Sequence, residues 1–444
     1  MTQIKVGASR STITPPVGVD LAGYARRQGP STDVRDDLWC AALVLDDGRT
    51  RLALIALDLL ETDFEVDAML REAVAASTDT DRDHILINCS HTHAGPGAAK
   101  LGRLGRRNMD YVNTLPERVA QTAATAAARL TPAALRYGEA PVRVGINRRE
   151  TIPDGEVTIG RNPEGLVDTR VRVIEVRGDA GPGAVLFQHA CHGTALSHEN
   201  RRISAEWMGS AASRLESALK GASLPMFLQG CCGQINPDAE ASFDEVERLG
   251  AEMAEAVAAS LESPESCVAT PLGARREQIA LPFQDPLTPA QAREELQQTQ
   301  DEHERLQLEG AHESVIRAHE TLVRHAADML DRAERRPANE TLPFVVQAIL
   351  IGELAIVGLS GEVFFEFAQE IEARSPFRHT LVLGYSNGCT CYIPTRQAFA
   401  EGGYEAKDSF RWYGIPPLAP HAGEVMAAAA IRMLNDLRKG GSAP

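Results

Sequence analysis

One local pattern recurs along the chain: a short unbroken apolar run, a turn rich in Gly, Ser, Asn or His, then a stretch of helical period. Runs of this kind are Arg51–Asp58, His84–Cys89, Gly183–His189, Leu224–Gln229, Leu354–Leu359 and Thr380–Tyr385. They are continuous rather than alternating, so each reads as a strand buried on both faces, as in a sheet covered by helices. Between them, Glu65–Ala75, Asp110–Leu130, Glu206–Leu219 and Phe243–Leu261 carry apolar residues near the 3.6-residue helical period. The pattern predicts an α/β fold, a layered mixed β-sheet flanked by helices.

From residue 288 to 336 the pattern changes. The segment is densely charged and helical, and opens on Thr288-Pro289 as a cap and first-turn pair. Gly310 divides it into two pieces, which predicts an inserted antiparallel helical hairpin. Its histidines (His303, His312, His319, His325) are spaced by 9, 7 and 6, not by the i, i+4 step that aligns two imidazoles on one helix face. The hairpin therefore reads as solvated, or as facing a second copy of the chain in a homo-oligomer, without metal chemistry. With no internal repeat or low-complexity linker, residues 1–444 read as a single domain, and the C-terminal Gly-Gly-Ser-Ala-Pro as a frayed end.

Charge narrows the function. Forty-five Lys and Arg against 61 Asp and Glu give a net charge of −16. Nucleic acid and anionic membrane both need clustered cations, so neither is an expected partner. The first residues lack the apolar core of a secretory signal, and no apolar stretch reaches membrane-spanning length. Eight scattered cysteines then read as reduced thiols of a cytoplasmic protein.

Reactive residue types gather just after the strand-like runs, where open α/β sheets place their sites. His84–Cys89 is followed by Ser90-His91-Thr92-His93-Ala94-Gly95-Pro96-Gly97, and Gly183–His189 by Ala190-Cys191-His192-Gly193-Thr194. Leu224–Gln229 leads into Gly230-Cys231-Cys232-Gly233-Gln234-Ile235-Asn236-Pro237. Leu354–Leu359 leads into Ser360-Gly361-Glu362, and Thr380–Tyr385 into Ser386-Asn387-Gly388-Cys389-Thr390-Cys391-Tyr392. Imidazoles, a carboxylate and a tyrosine are delivered to one rim, a donor set suited to catalytic zinc. Each signal is weak alone: His-x-His pairs are often surface or core residues, and Glu362 could simply favour a helix N-terminus. Their shared placement favours a metal.

The chain resembles the neutral/alkaline (non-lysosomal) ceramidase family of zinc-dependent amide hydrolases. The resemblance rests on VGASRSTITPPVGVDLAGY, NCSHTHAGPG, Asn147-Arg148, HACHGTALS, GCCGQINP, SGEVFFE and CYIPTRQAFAEGGYE, in order between residues 5 and 405. It implies one zinc ion per chain, held by His91, His192, Glu362 and Tyr392. It also implies substrate contacts from His93 and Arg148, and a second active-site tyrosine at Tyr404. Two features depart from the family pattern. Asn236 stands where the ceramide-cleaving members carry a serine nucleophile, and the immunoglobulin-like C-terminal domain of those members has no counterpart here.

Without the serine, the simplest route is attack by a water that zinc activates. Tyr392 or Tyr404 would then donate to the developing oxyanion, and His93 would act as base or acid or else orient a ligand. Arg148 reads as a fork for a substrate carboxylate or phosphate, or as an ordinary ion pair with Glu150. Cys231, Cys232 and the Cys389-Thr390-Cys391 pair read as buried thiols, and His189 and His198 as core or hydrogen-bonded residues. Asp37 and Glu206 are expected to support the ligands from behind. The expected activity is hydrolysis of a small N-acyl or peptide-like amide, with Asn236 and Arg148 contacting substrate. The alternatives are an ester or lactone hydrolase, or a non-catalytic descendant that keeps zinc and binds a ligand.

Overall fold

A computed structural model describes residues 4–100, 107–178 and 183–440. Most of the expected C-terminal frayed end lies outside these residues. The main sheet has the spatial order Ser223–Gln229, Gly183–His189, Arg170–Gly178, Thr131–Pro141, Lys5–Thr12, Trp39–Asp46, Arg51–Leu57, Ile85–Cys89. It is mixed: the outermost pair at each end is parallel, and the pairs between them are antiparallel. Gly183–His189 and Ile85–Cys89 are buried along their whole length, as their unbroken apolar runs require.

The two end strands are drawn together by one side chain. Asn88 Oδ1 accepts from Gln229 N (2.8 Å) and its Nδ2 donates to Gln229 O (3.3 Å). The strand ends carrying the 90–97 and 230–237 loops are thereby neighbours, although they lie at opposite ends of the pairing order. A second sheet, Leu272–Pro282, Thr341–Ile351, Leu354–Leu359 and His379–Leu383, brings Glu362 and Tyr385 to the same place. Bridges Asn88↔Ser386 and Gly230↔Leu383 tie the two sheets together there.

Helices Phe64–Thr78, Glu206–Ala218 and Phe243–Ser260 follow the sequence expectation closely. The expected helix Asp110–Leu130 is instead two, Met109–Val112 and Leu115–Ala128. Pro116 has no N–H to offer Val112, so it opens a new first turn rather than continuing the old one.

The charged segment forms helices Pro289–Leu308 and Glu313–Arg335, the first opened by a Thr288/Gln291 capping box. It is less solvated than expected. His325 is buried with Nε2 2.9 Å from Ile415 O, and Arg411 reaches Glu295 (3.1 Å). The hairpin therefore braces the Arg411–Ile415 segment, which carries a site residue described below. Among the described residues, no helix is long and apolar enough to cross a membrane.

Candidate metal centre

His91 follows strand Ile85–Cys89 with a positive φ of 61°, a costly conformation for a non-glycine residue. It is held there by His91 N donating to Leu59 O and Nδ1 contacting Leu60 O, both at 2.9 Å. His192 follows strand Gly183–His189. Its N and its Nδ1 each lie 3.0 Å from Ile235 O, and its own carbonyl accepts from Trp207 Nε1 at 2.8 Å. A carbonyl only accepts, so both Nδ1 atoms carry a proton, and both Nε2 atoms face inward. Gln229 couples the two loops: its buried Nε2 donates at 2.9 Å to Ser90 O and to Cys191 O, one residue before each histidine.

Glu362 Oε2 lies 3.2 Å from His192 Nε2 and 3.4 Å from His91 Nε2. His93 Nε2 is 3.2 Å from His91 Nε2, and one ring nitrogen from each of the three imidazoles falls within 4.8 Å of the others. Among the described residues this is the cluster of His, Cys, Asp and Glu close enough to share an ion. Three imidazoles beside a carboxylate form the donor chemistry of a zinc-type site, so these residues fit such an ion.

Electrostatics agrees with that assignment. Burial pushes His192 down to about 4, with Arg148 adding to the effect. Burial, then His91 and His192, hold His93 well below its usual value. Burial alone would raise Glu362, but the two imidazoles beside it outweigh that and hold its carboxyl well below the usual range. Neutral histidines and an ionised carboxylate are the forms that bind metal.

Arg148 is buried and engaged at all three nitrogens. Nε donates to Glu405 Oε1 (2.7 Å) and Nη2 to the Tyr392 hydroxyl (3.0 Å), while Nη1 lies 3.2 Å from both Asn236 Oδ1 and His192 Nε2. One expectation is corrected: the ion pair of this guanidinium is with Glu405, not Glu150. The reason is the helical turn Tyr404–Asp408, which lays Glu405 between Arg148 and Arg149 (Nη1 to Oε2, 2.8 Å). Tyr404, in the same turn, packs edge-on against Tyr392 with ring centroids 5.6 Å apart.

Five of the side chains singled out in the sequence stand outside the ion cluster. Cys231 and Cys232 are fully buried with thiols pushed upward by burial, the wrong direction for a nucleophile. His189 is buried with Nδ1 3.0 Å from Arg170 O, a hydrogen-bonded core residue. Asp37 is exposed and accepts from Thr14 Oγ1, whereas buried Glu206 accepts from Ala195 N (2.8 Å) and so steadies the loop after His192.

Sequence reasoning missed Tyr385, Tyr413 and Glu61. Tyr385 places its ring 4.0 Å from that of His91 and its hydroxyl 3.2 Å from Glu362 Oε2. Tyr413 donates to Glu362 Oε1 at 2.6 Å, with Glu61 Oε2 at 3.2 Å on its other side. Burial, with repulsion from Glu362, pushes Glu61 up to about 8. Glu61 and Tyr385 each follow a strand, so the strand-end rule that found Glu362 applied to them too. Tyr413 sits in a helical turn with no such signal.

The sequence pattern of the neutral/alkaline non-lysosomal ceramidase N-terminal region matches residues 4–267. The chain belongs to that family. It is 22% identical over 467 residues to the neutral ceramidase of Pseudomonas aeruginosa, covering 90% of this chain and 68% of that one. With the neutral ceramidase of Mycobacterium tuberculosis it shares 28% over 224 residues, 46% of this chain and 34% of the relative. In fold it matches a ceramidase complexed with C2 (TM-score 0.75, 17% identity, 99% of this chain and 76% of that one). A solved structure of the P. aeruginosa neutral ceramidase gives a TM-score of 0.74 at 18% identity, covering 100% and 76% of the two chains. Family membership makes this chain an amide-bond hydrolase of ceramidase type, on the mixed α/β fold expected from its sequence.

Proposed function

We propose that the chain is a zinc-dependent hydrolase cleaving the amide bond of an N-acyl or peptide-like substrate with water as nucleophile. The observation that carries this reading is the convergence of His91, His192 and Glu362, two of them imidazoles locked by backbone carbonyls with Nε2 facing inward. These three would hold the ion, with Tyr392 as fourth donor; burial pushes its hydroxyl well above the ordinary value, and the Arg148 Nη2 bond to its oxygen offsets part of that. When bound, zinc supplies a Lewis acid for the scissile carbonyl and lowers the pKa of water.

The remaining roles follow from exposure. His91, His192, Glu362, Tyr392 and Arg148 are buried, whereas His93, Asn236 and Tyr404 are half-buried and mark the open side of the site. His93 Nδ1 has no bonded partner, so no backbone carbonyl fixes this ring as one fixes His91 and His192. That freedom suits an imidazole that takes the proton released by water and passes it to the departing nitrogen. Gly23, at φ 98°, leaves the room for it: a Cβ there would sit 2.2 Å from His93 Nδ1.

The test is amine release by the zinc-loaded protein from a panel of N-acyl amino acids, N-acyl amines and a short-chain ceramide, before and after chelation. Release that chelation abolishes and zinc restores is expected. No release from any amide, or release indifferent to chelation, overturns the reading.

A further inference from the structure

We propose that Asn236 is a catalytic residue whose side-chain NH2 donates to the scissile carbonyl oxygen as that oxygen takes on negative charge. The proposal rests on the amide-hydrolase reading above. Three observations carry it. The first is the orientation of the amide. The atom facing Arg148 Nη1 at 3.2 Å is Oδ1, and a guanidinium only donates, so the amide cannot be flipped. Nδ2 must therefore point away from Arg148, and among the described residues it meets no acceptor.

The second observation is position. The same Nη1 lies 3.2 Å from His192 Nε2, so a single guanidinium nitrogen separates the amide from the inward face of a metal-site imidazole. Asn236 is half-buried between buried Ile235 and Pro237, on the open side of the site with His93 and Tyr404. Substrate has to enter from that side.

The third is rigidity. Asn236 lies in strand Ile235–Pro237, paired opposite Ile146, and the carbonyl just before it, Ile235 O, receives both His192 N and His192 Nδ1. Backbone and side chain are fixed before substrate arrives, which is what makes a donor effective toward a developing charge. Arg148 also polarises the amide through Oδ1 and strengthens its N–H as a donor. The cation itself is paired with Glu405.

The chemistry balances without proton transfer at Asn236. Water adds to the carbonyl carbon, the C=O π pair moves onto oxygen, and the Nδ2–H···O hydrogen bond to that oxygen shortens. When the C–N bond breaks, the pair returns to re-form the carbonyl, and the nitrogen leaves with the proton that water gave up.

The experiment compares wild type, Asn236→Asp and Asn236→Ala as zinc-loaded enzymes on one N-acyl amide, with zinc content and thermal unfolding as folding controls. Aspartate keeps the size and the Arg148 contact but removes the donor; alanine removes both without adding charge. We expect both variants to lose roughly 10²- to 10³-fold in kcat with KM little changed. Affinity for a phosphonamidate mimic of the tetrahedral intermediate should fall in parallel, whereas affinity for the substrate's acid product should not. Unchanged kcat in Asn236→Ala overturns the proposal even if Asn236→Asp is slow, since the loss would then be charge repulsion. A loss confined to KM overturns it too. If Asn236→Ala does not fold, Asn236→Leu, uncharged and without a donor, takes its place in the same comparison. Absence of amide turnover by the wild type removes the hydrolase reading and this proposal with it, whereas turnover with unaffected variants removes this proposal alone.

Discussion

The hydroxyl of Tyr413 lies 2.6 Å from Oε1 of Glu362, while Tyr385 reaches the other oxygen at 3.2 Å. The carboxylate is therefore gripped at both oxygens by residues from different elements, and its orientation toward the imidazoles is set from behind. Removing such an outer partner typically costs 10- to 100-fold in metal affinity. Tyr413→Phe should weaken zinc binding by about that factor in a competition titration against a chelator, with the overall fold retained. Unchanged affinity would mean that the grip is incidental.

Arg148 supports a second expectation. Its guanidinium serves Glu405, Tyr392 and Asn236 at once, and a lysine ammonium cannot satisfy three directions with a planar fork. Arg148→Lys should lower kcat/KM about 10- to 100-fold, by the same factor for anionic and uncharged amides. A selective loss for anionic substrates would restore the direct-clamp role that the ion pair with Glu405 argues against.

The strands and the loops that carry the candidate metal site were legible because burial on both faces and strand-end placement leave a local signature. Ile85–Cys89 followed by His91, and Gly183–His189 followed by His192, are cases where short-range pattern sufficed. What it could not convey was partnership. Nothing near Arg148 points to Glu405, which is 257 residues away, and Glu150 was the natural local guess. Nor could periodicity reveal that Gln229 spans two loops, since that depends on Asn88 closing the sheet. The split at Pro116 was a local signal that the apolar period obscured.

His93 separates two roles that its position allows. His91 and His192 have Nδ1 locked by Leu60 O and Ile235 O, the usual arrangement behind a metal ligand, whereas His93 Nδ1 has no partner. His91→Ala and His192→Ala should therefore lose bound zinc. His93→Ala should keep it and lose about 10²- to 10⁴-fold in kcat, as removal of a proton-transfer group does. Metal analysis beside steady-state kinetics decides: loss of zinc from His93→Ala would make it a ligand.

Asp58 gives a pH signature independent of substrate. The residue ends strand Arg51–Leu57 and its Oδ2 accepts from Trp39 N at 2.9 Å. Burial pushes its carboxyl up to about 7 from an ordinary value of 3.8. The folded chain thus keeps a proton that the unfolded chain releases near pH 4. Between those values the native state binds more protons than the unfolded state, so stability falls as pH rises through the window and levels off above it. The slope is at most ~1.4 kcal/mol per pH unit for one proton. Glu61 and Glu206, both pushed up to about 8 mainly by burial, add slope of the same sign in the wild type. Asp58→Asn, which stays neutral at every pH, should remove only Asp58's share. Denaturant unfolding at pH 4.5, 5.5 and 6.5 measures this across the window. The variant should gain stability relative to wild type step by step as pH rises, and a difference that stays constant with pH would show that Asp58 is ionised in the folded protein.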